Sequence, residues 1–289
     1  MINISIIGTG RLGTSLGNAL SKKGYRIKAL SCKRLSSARE SRKIIGEGRI
    51  FSDNIQAARI GELIFLCLPD EKISEVTKEL SSAEINWSKK YVFHCSGLLP
   101  SQILKPLKDK GALTASFHPI QSFSQKTTAP EQFENIYFGL EGNSKALALS
   151  QKIVQQLGGH PLILRVKDKA LYHTACSTAS NFFVVLLDMA VQLLKQTGLQ
   201  ERKAFQILYP LVKGTLHNVK KFDIQASLTG PVIRGDQKSI KEHLETLKNM
   251  SPYYKTYLKL AEQALEIARR EKKLSPQKIK AMKNLLEGK

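Results

Sequence analysis

Short apolar runs alternate with amphipathic segments over the first half of the chain. INISII, YRIKALS, ELIFLCL, YVFHC and ALTASF are compact, apolar and bounded by turn residues, which predicts strands. Between them, RLGTSLGNALSKK, EKISEVTKELSS and SQILKPLKD space their apolar positions by three and four, which predicts helices. NIYFGLEG and HPLILR predict two further strands, flanking a helix from Ser144 to Leu157 that Gly158-Gly159 ends. This alternation implies α/β architecture with a parallel, doubly wound sheet. After Lys167 the strand signal stops and only helical spacing follows. Ser251-Pro252 and Ser275-Pro276 each place a serine at the N-cap and a proline in the first helical position. Tyr254, Tyr257, Leu258, Ala261, Leu265 and Ala268 form one apolar helical stripe. The expected organisation is a doubly wound nucleotide-binding domain over residues 1–166, then an all-α domain for dimerisation and substrate binding over 167–289.

The junction carries an unusual pattern. In DKALYHTACSTASN, Lys169, His173, Ser177 and Asn181 recur at every fourth position, and an apolar run follows, FFVVLLDMAVQLL. On a regular α-helix such a series makes a stripe about 18 Å long whose ends differ by about 120°. The stripe reads either as one wall of a cleft or as a water-exposed first turn. The run from Ala170 to Leu194 contains His173, Asn181 and Asp188, so burial in protein explains it better than a membrane span does. Phe182 to Leu194 is expected to be core or subunit interface, which favours a homodimer.

Charge changes the picture next. Among 289 residues, 45 are Lys or Arg and 24 are Asp or Glu, a net charge of +21. Such a surface draws anions: nucleic acid, a nucleotide cofactor or an acidic metabolite. Nucleic acid ranks last, because the basic cluster Arg269, Arg270, Lys272 and Lys273 lacks interleaved aromatics and a known motif. Cys32, Cys67, Cys95 and Cys176 show no metal or disulfide spacing, so no metal is expected and free thiols suit the cytoplasm. MINISIIGTG has no basic leader and its apolar run is broken by glycine, unlike a signal peptide.

Gly8-Thr9-Gly10-Arg11-Leu12-Gly13 follows directly on a predicted strand and opens a predicted helix. In that setting Gly8 permits the turn and Gly10 lets a diphosphate approach the main chain at the helix N-terminus. Gly13, and Gly17 a turn on, let the helix close on the sheet. This is the dinucleotide corner of a Rossmann-type domain. The second strand ends Leu30-Ser31-Cys32-Lys33-Arg34, with no carboxylate to hold a ribose. Ser31, Lys33 and Arg34 suit a 2′-phosphate instead, which predicts NADP(H) over NAD(H). Leu68 and Pro69, at the end of the fourth strand, are expected to line the cofactor, with Asp70 capping the next helix.

Two more strand ends are polar: His94-Cys95-Ser96-Gly97 and Ser116-Phe117-His118-Pro119. Topology places both at the nicotinamide end of the crevice, where hydride transfer to a carbonyl or imine needs a proton partner. His118 and Ser96 are the candidates for that work. His94 and His118 each also admit a structural reading as buried histidines.

HCSG, FHPIQSF, YHTACSTASN and LTGPVIRGD, in that order behind a Rossmann corner, resemble an uncharacterised oxidoreductase family. It joins a Rossmann-like domain to a dimeric helical domain of the 6-phosphogluconate-dehydrogenase C-terminal type. The resemblance spans nearly the whole chain and implies a fold and a cofactor but no substrate. More distantly, Ser96 and His118 match a Ser and a His that contact substrate in prephenate dehydrogenases, although the surrounding GSVK and HPMAG-like sequences are absent. Pyrroline-5-carboxylate and ketopantoate reductases share the architecture. A Lys and an Asn that face the nicotinamide in related enzymes imply substrate or acid roles for Lys169, His173 and Asn181. Thr229 suits a tight loop, and Arg234 offers a fork to an anionic substrate or pairs with Asp236 on the surface. The resulting expectation is an NADP(H)-dependent oxidoreductase of a small anionic keto, hydroxy or imino compound. A non-catalytic redox sensor is the alternative.

Overall fold

The computed structural model describes residues 2–126 and 129–288. The chain packs as two compact units, Met1–Phe182 and Phe183–Lys289. The boundary expected at residue 166 from the loss of strand signal therefore falls inside the first unit. The helix after it packs with the sheet, a tertiary preference that composition does not register.

In the first unit, strands and helices alternate as β1 Asn3–Ile7, α1 Arg11–Lys22, β2 Arg26–Ser31, α2 Leu35–Ile45, β3 Arg49–Phe51, α3 Asn54–Ile60, β4 Leu63–Leu66, α4 Asp70–Ser82 and β5 Tyr91–His94. A short α5, Lys105–Lys108, leads to β6 Leu113–Pro119, β7 Tyr137–Gly142, α6 Ser144–Gln156, β8 His160–Ile163 and α7 Lys169–Ser177. The eight strands lie in the order β3-β2-β1-β4-β5-β6-β7-β8. Neighbours are parallel except β6 and β7. The order reverses between β1 and β4, which opens a crevice at the carboxyl ends of those strands.

The near-continuous apolar strands follow from burial on both faces. Alternate side chains supply the two layers. Ile4, Ile6, Phe65, Phe93 and Phe117 meet Leu16 and Leu20 of α1, Ile45 of α2 and Ile153 of α6. Ile7, Ile64, Leu66 and Val92 point the other way, to Ile73, Val76 and Leu80 of α4 and to Trp87. The seven strands expected from the pattern are all present. The eighth, β3, has only three residues and no fully buried position, too short for a period of two to show.

The second unit is helical as expected: α8 Phe183–Lys195, α9 Glu201–Phe222, α10 Ile224–Ser227, α11 Pro231–Arg234, α12 Gln237–Leu247, α13 Ser251–Arg270 and α14 Pro276–Leu286. Val232, Ile240, Leu244, Ala261, Leu265, Met282 and Leu286 form its core, with Tyr254, Tyr257 and Leu258 against it. Ser275 caps α14 by accepting from the Lys278 amide. Ser251 does not cap: Met250 holds that place and Ser251 is already helical. Of the two readings of the run after Phe182, core or subunit interface, the single chain does not show the first. Phe182, Val184 and Val185 are 57%, 62% and 60% exposed, and on α9 Tyr209, Leu211 and Leu216 are 54%, 67% and 55% exposed. The helical stretch Val166–Lys195 is long and apolar enough, by length and composition, to cross a membrane.

The first βα corner is set by close approach. Gly8 has φ of 99°, and a Cβ there would lie 2.3 Å from the Cys67 carbonyl oxygen. A Cβ on Gly13 would lie 2.0 Å from the Gly8 carbonyl oxygen, whereas one on Gly10 would meet nothing within 4 Å. Overpacking of this kind costs about 1–3 kcal/mol, and each kcal/mol lowers the melting temperature of a unit this size by about 2–4 °C. Gly13→Ala is therefore expected to melt several degrees below the native chain in a calorimetric scan, while Gly10→Ala melts with it.

Candidate active site

The corner presents the main-chain amides of residues 9–13 at the N-terminus of α1, whose first turn contains no acidic residue. An anion is favoured there by the helix dipole and the unpaired N–H groups. The Thr9 carbonyl is pinned from α2 by the hydroxyls of Ser37 and Ser41, both at 3.3 Å. The buried Thr9 hydroxyl has no hydrogen-bond partner, the Cys32 thiol being its polar neighbour. Leu68 rests against the turn, with Cδ2 3.0 Å from a Gly8 Cβ position, and the exposed Pro69 sits at the N-cap of α4. Asp70 is the first residue of that helix rather than its cap. Arg11 is exposed and Leu12 half-buried at the start of α1.

Lys33 and Arg34 are exposed beyond β2, and Arg34 occupies the N-cap position of α2. Ser31, expected beside them, is fully buried and gives its hydroxyl to Asn54 Oδ1 at 2.7 Å. As the last residue of β2 its side chain turns inward, so it does not share the cationic rim. Ser37, in the first turn of α2, takes that place. Lys126 reaches it from the segment after β6, donating at 2.7 Å both to Ser37 Oγ and to Glu40 Oε2. Lys126 was not legible as a site residue in the sequence, because nothing local links it to a helix 86 residues earlier.

At the other end of the crevice the carboxyl ends of β5 and β6 meet α7. Lys169 is 1% exposed; its Nζ donates to the Ser96 carbonyl at 3.2 Å and to Ser116 Oγ. Burial lowers its pKa to about 8, with the charges of Glu141, Asp70 and Cys95 opposing. The Ser96 hydroxyl accepts from the amides of Leu98 and Leu99 at 3.1 and 2.9 Å, so it folds the turn after β5. Lys169 and Ser96 form the floor of the site rather than its open surface.

Above that floor are two imidazoles. The rings of His118 and His173 lie 6.1 Å apart. A Cβ on Gly97 would fall 2.5 Å from His173 Cδ2 and 2.9 Å from His118 Nε2, so both rings need a glycine beneath them. His118 Nδ1 is 2.6 Å from the Tyr172 hydroxyl. Burial, then the Lys169 and His173 charges, lower the His118 pKa to about 4. His94 is fully buried and lowered to about 3, by burial and then Lys169. His118 is thus a neutral imidazole near pH 7, not the near-neutral titrating group expected from its type. Burial raises the Tyr172 phenol, Cys176 adds to this, and a backbone hydrogen bond from Gly139 works the other way. Were the Tyr172 hydroxyl to donate to Nδ1, the His118 proton would sit on Nε2, which faces Gly97. Tyr172 was missed because its partner lies 54 residues away and its helix position carries no polar periodicity.

The polar stripe is not one regular helix. α7 passes into a π-helical turn at Thr178–Phe182. π turns are rare and concentrate at functional sites. His173, Ser177 and Asn181 line one cavity of about 600 Å³, with His118, Gln121 and Ser122 across from them; Lys169 does not reach it. The signal for the turn was present: Thr174 and Thr178 each bond back to the carbonyl four residues earlier, at 2.9 and 2.8 Å, and such back-bonding competes with the helical ladder.

Thr229 and Arg234 belong to the second unit. Thr229 is exposed before α11. Arg234 is 65% exposed with Nη2 4.0 Å from Asp236 Oδ2, while Asp236 caps α12 through Ser239. Among the described residues, no group of three or more His, Cys, Asp or Glu side chains converges as metal ligands do.

Residues 1–119 match the model of a Rossmann-like domain, and residues 136–264 that of a domain of unknown function, DUF2520. Protein TM1727 from Thermotoga maritima is similar at 28% identity, with 93% of this chain and 99% of that chain covered and a TM-score of 0.72. BF3122 from Bacteroides fragilis, provisionally named an NADP oxidoreductase, is 24% identical over 91% of this chain and 97% of its own, with a TM-score of 0.77. Pyrroline carboxylate reductase from Plasmodium falciparum, solved with NADP bound, is 16% identical over 97% and 98%, with a TM-score of 0.57. No curated protein matches the chain.

The site fixes a pH dependence. A histidine held at about 4 in the fold and about 6.5 when unfolded binds its proton more readily in the unfolded chain across that window. Stability contributed by the neutral ring is therefore present above about pH 6.5 and lost as pH falls toward 4. His118→Asn is expected to flatten the rise of denaturant midpoint between pH 4 and 6.5. Nitrogen NMR of the native chain should show His118 neutral at pH 6 with its proton on Nε2, and Tyr172→Phe should mix the two tautomers.

Proposed function

Because the chain joins a Rossmann-like domain to a DUF2520 domain, we propose that it is an NADP(H)-dependent oxidoreductase. Its substrate would be a small anionic keto, hydroxy or imino compound. The observation that carries this is a glycine corner with a cationic second rim, on the same sheet edge as a cavity walled by two histidines. NADP is named for two of the structural neighbours, the Bacteroides fragilis and Plasmodium falciparum proteins, which supports the choice.

The residues present fit the cofactor. The space over Gly10, the unpartnered Thr9 hydroxyl and the amides at the start of α1 suit a diphosphate. Lys33, Arg34, Ser37 and Lys126 would hold a 2′-phosphate, with Lys126 exchanging Glu40 for it. The bound nicotinamide would supply or take the hydride. The Nε2–H of His118 would donate a hydrogen bond to the reacting oxygen or nitrogen, with Tyr172 fixing its tautomer. His173 and Asn181 would orient the substrate. Lys169 would hold the Ser96 turn and Ser116 in place. Arg234, with its guanidinium largely in solvent, would bind an anionic group, with Thr229 in the loop that leads to its helix.

A second copy of the chain would cover the apolar side chains of α8 and α9, giving a homodimer in the cytoplasm. The competing occupant, a membrane, suits the same stretch less well, because Lys169, Tyr172 and His173 at its start are engaged by β5, β6 and Gly97. Light scattering after gel filtration is expected to give twice the chain mass, and Val185→Glu with Leu211→Glu to give the monomer. A purified chain that stays monomeric and partitions into vesicles would reverse that assignment.

For the activity, fluorescence titration is expected to show NADPH bound at least tenfold more tightly than NADH, a difference of about 1.4 kcal/mol or more. Lys33→Glu with Arg34→Glu should erase that preference. Absorbance at the nicotinamide band, screened against 2-oxo acids and cyclic imines, should show turnover that His118→Asn abolishes without weakening NADPH. Tight NADPH binding with no turnover in the full screen would favour a redox sensor.

A further inference from the structure

We propose that Cys67 and Cys95 are a modification site: a dithiol beneath the glycine corner that a hydroperoxide converts to a reversible disulfide. Neither thiol has a part in the chemistry above. They follow the paired ends of β4 and β5, where Leu66 stands opposite His94. The ladder runs one residue further, since the Cys95 amide donates to the Leu66 carbonyl at 3.1 Å and the Cys67 amide to that of Ile7 at 2.8 Å. Cys67 and Cys95 are therefore neighbours on adjacent parallel strands, facing the same layer as Phe65 and Phe93. Neighbouring strands lie roughly 4.8 Å apart, within the roughly 4.4–6.8 Å between Cα atoms that a disulfide spans. The two sulfurs are already 3.6 Å apart and share a hydrogen bond.

Their surroundings give the pair an order of reaction. Cys67 is half-buried and Cys95 is 6% exposed. The S–H···S contact with Cys67, then burial, raise the Cys95 thiol, against the nearby Lys169 ammonium. Cys95 keeps its proton, and a peroxide meets Cys67 first. The Cys67 thiolate attacks the terminal peroxide oxygen; the O–O bond breaks, an alcohol leaves after taking a proton, and Cys67 becomes a sulfenic acid. The Cys95 sulfur then attacks Cys67 sulfur, expelling the sulfenic oxygen as water with the Cys95 proton. Two thiols and one hydroperoxide give one disulfide, one alcohol and one water. A dithiol reductant reverses it by exchange.

The bridge would act on the corner. The Cys67 carbonyl abuts Gly8, and Cys67 Cβ lies 3.0 Å from a Gly13 Cβ position. Drawing the sulfurs from 3.6 Å to about 2.05 Å moves the group on which the turn rests. The oxidised form should therefore hold a diphosphate less well.

The test is stepwise hydrogen peroxide on the full chain, thiol alkylation, digestion without reduction and mass spectrometry. The expected result is one Cys67–Cys95 linked peptide pair, an intact mass lower by two hydrogens, alkylated Cys32 and Cys176, and full reversal by dithiothreitol. Oxidation of Cys32 or Cys176 first, or over-oxidation of Cys67 with Cys95 still free, overturns the proposal. Cys67→Ser and, should that fold poorly, Cys95→Ala must both abolish the link. NADPH affinity of the bridged chain should fall on the order of tenfold and recover with dithiothreitol; unchanged affinity in a chain shown to be bridged overturns the coupling to the corner. The coupling rests on the NADP(H) reading, but the thiol map does not. A reduced chain that binds no NADPH would sink that reading and leave the bridge to be judged on the peptides alone.

Discussion

A buried ammonium organises the reacting end of the first unit. Lys169 comes from the start of α7, and its Nζ ties that helix to the turn after β5 and to Ser116 on β6. Taking a lysine out of water costs several kcal/mol unless its donors are met, so the bonds to Ser96 and Ser116 have to form. Once they do, α7 has no freedom to rotate, and Tyr172 and His173 are placed against His118 and Gly97. Burial, and after it the same charge, hold His118 and His94 neutral. One desolvated cation thus fixes the geometry of the cavity wall and adds to what burial does to His118.

The two ends of the crevice are mechanically linked. The segment after β6 contributes Gln121 and Ser122 to the cavity and, four residues later, Lys126 to Ser37 and Glu40 of α2. A phosphate that drew Lys126 away from Glu40 would pull on the same segment that lines the cavity. The strands provide a second link: Cys67 supports the glycine corner, while Cys95 precedes the Ser96 that Lys169 holds. The first link is covalent along the chain, the second crosses between neighbouring strands, and both lie within the first unit.

What was legible in the sequence was what periodicity and backbone chemistry express locally. Strands buried on both faces gave apolar runs, the helices gave their stripes, and Gly8 and Gly13 proved to stand where any Cβ would collide. The polar series from Lys169 was legible as a series, but its division into a buried member and three cavity members was not. That division depends on which strand each turn of α7 meets, and on a π turn set by threonine back-bonding. Ser31 failed for a simpler reason: the last residue of a strand can face either way, and here it faces Asn54. The exposed face of α8 could be read as core or as subunit interface because composition reports apolarity, not what covers it. Tyr172 and Lys126 were beyond local reading altogether, since each matters through a partner brought near by the sheet.

Charge and cavity have opposite characters. The chain carries a net charge of +21, which draws anions from a distance and raises their encounter rate. Yet no Lys, Arg, Asp or Glu side chain lines the cavity among the described residues, and the Lys169 ammonium is spent on the floor. A carboxylate buried there would lose its hydration without gaining a countercharge, a loss of several kcal/mol. A carbonyl or imine would find neutral donors in His118, Ser177 and Asn181. On the proposed reading, a substrate would enter with its reactive, uncharged end and keep its charge toward solvent, where the basic surface can hold it without desolvation.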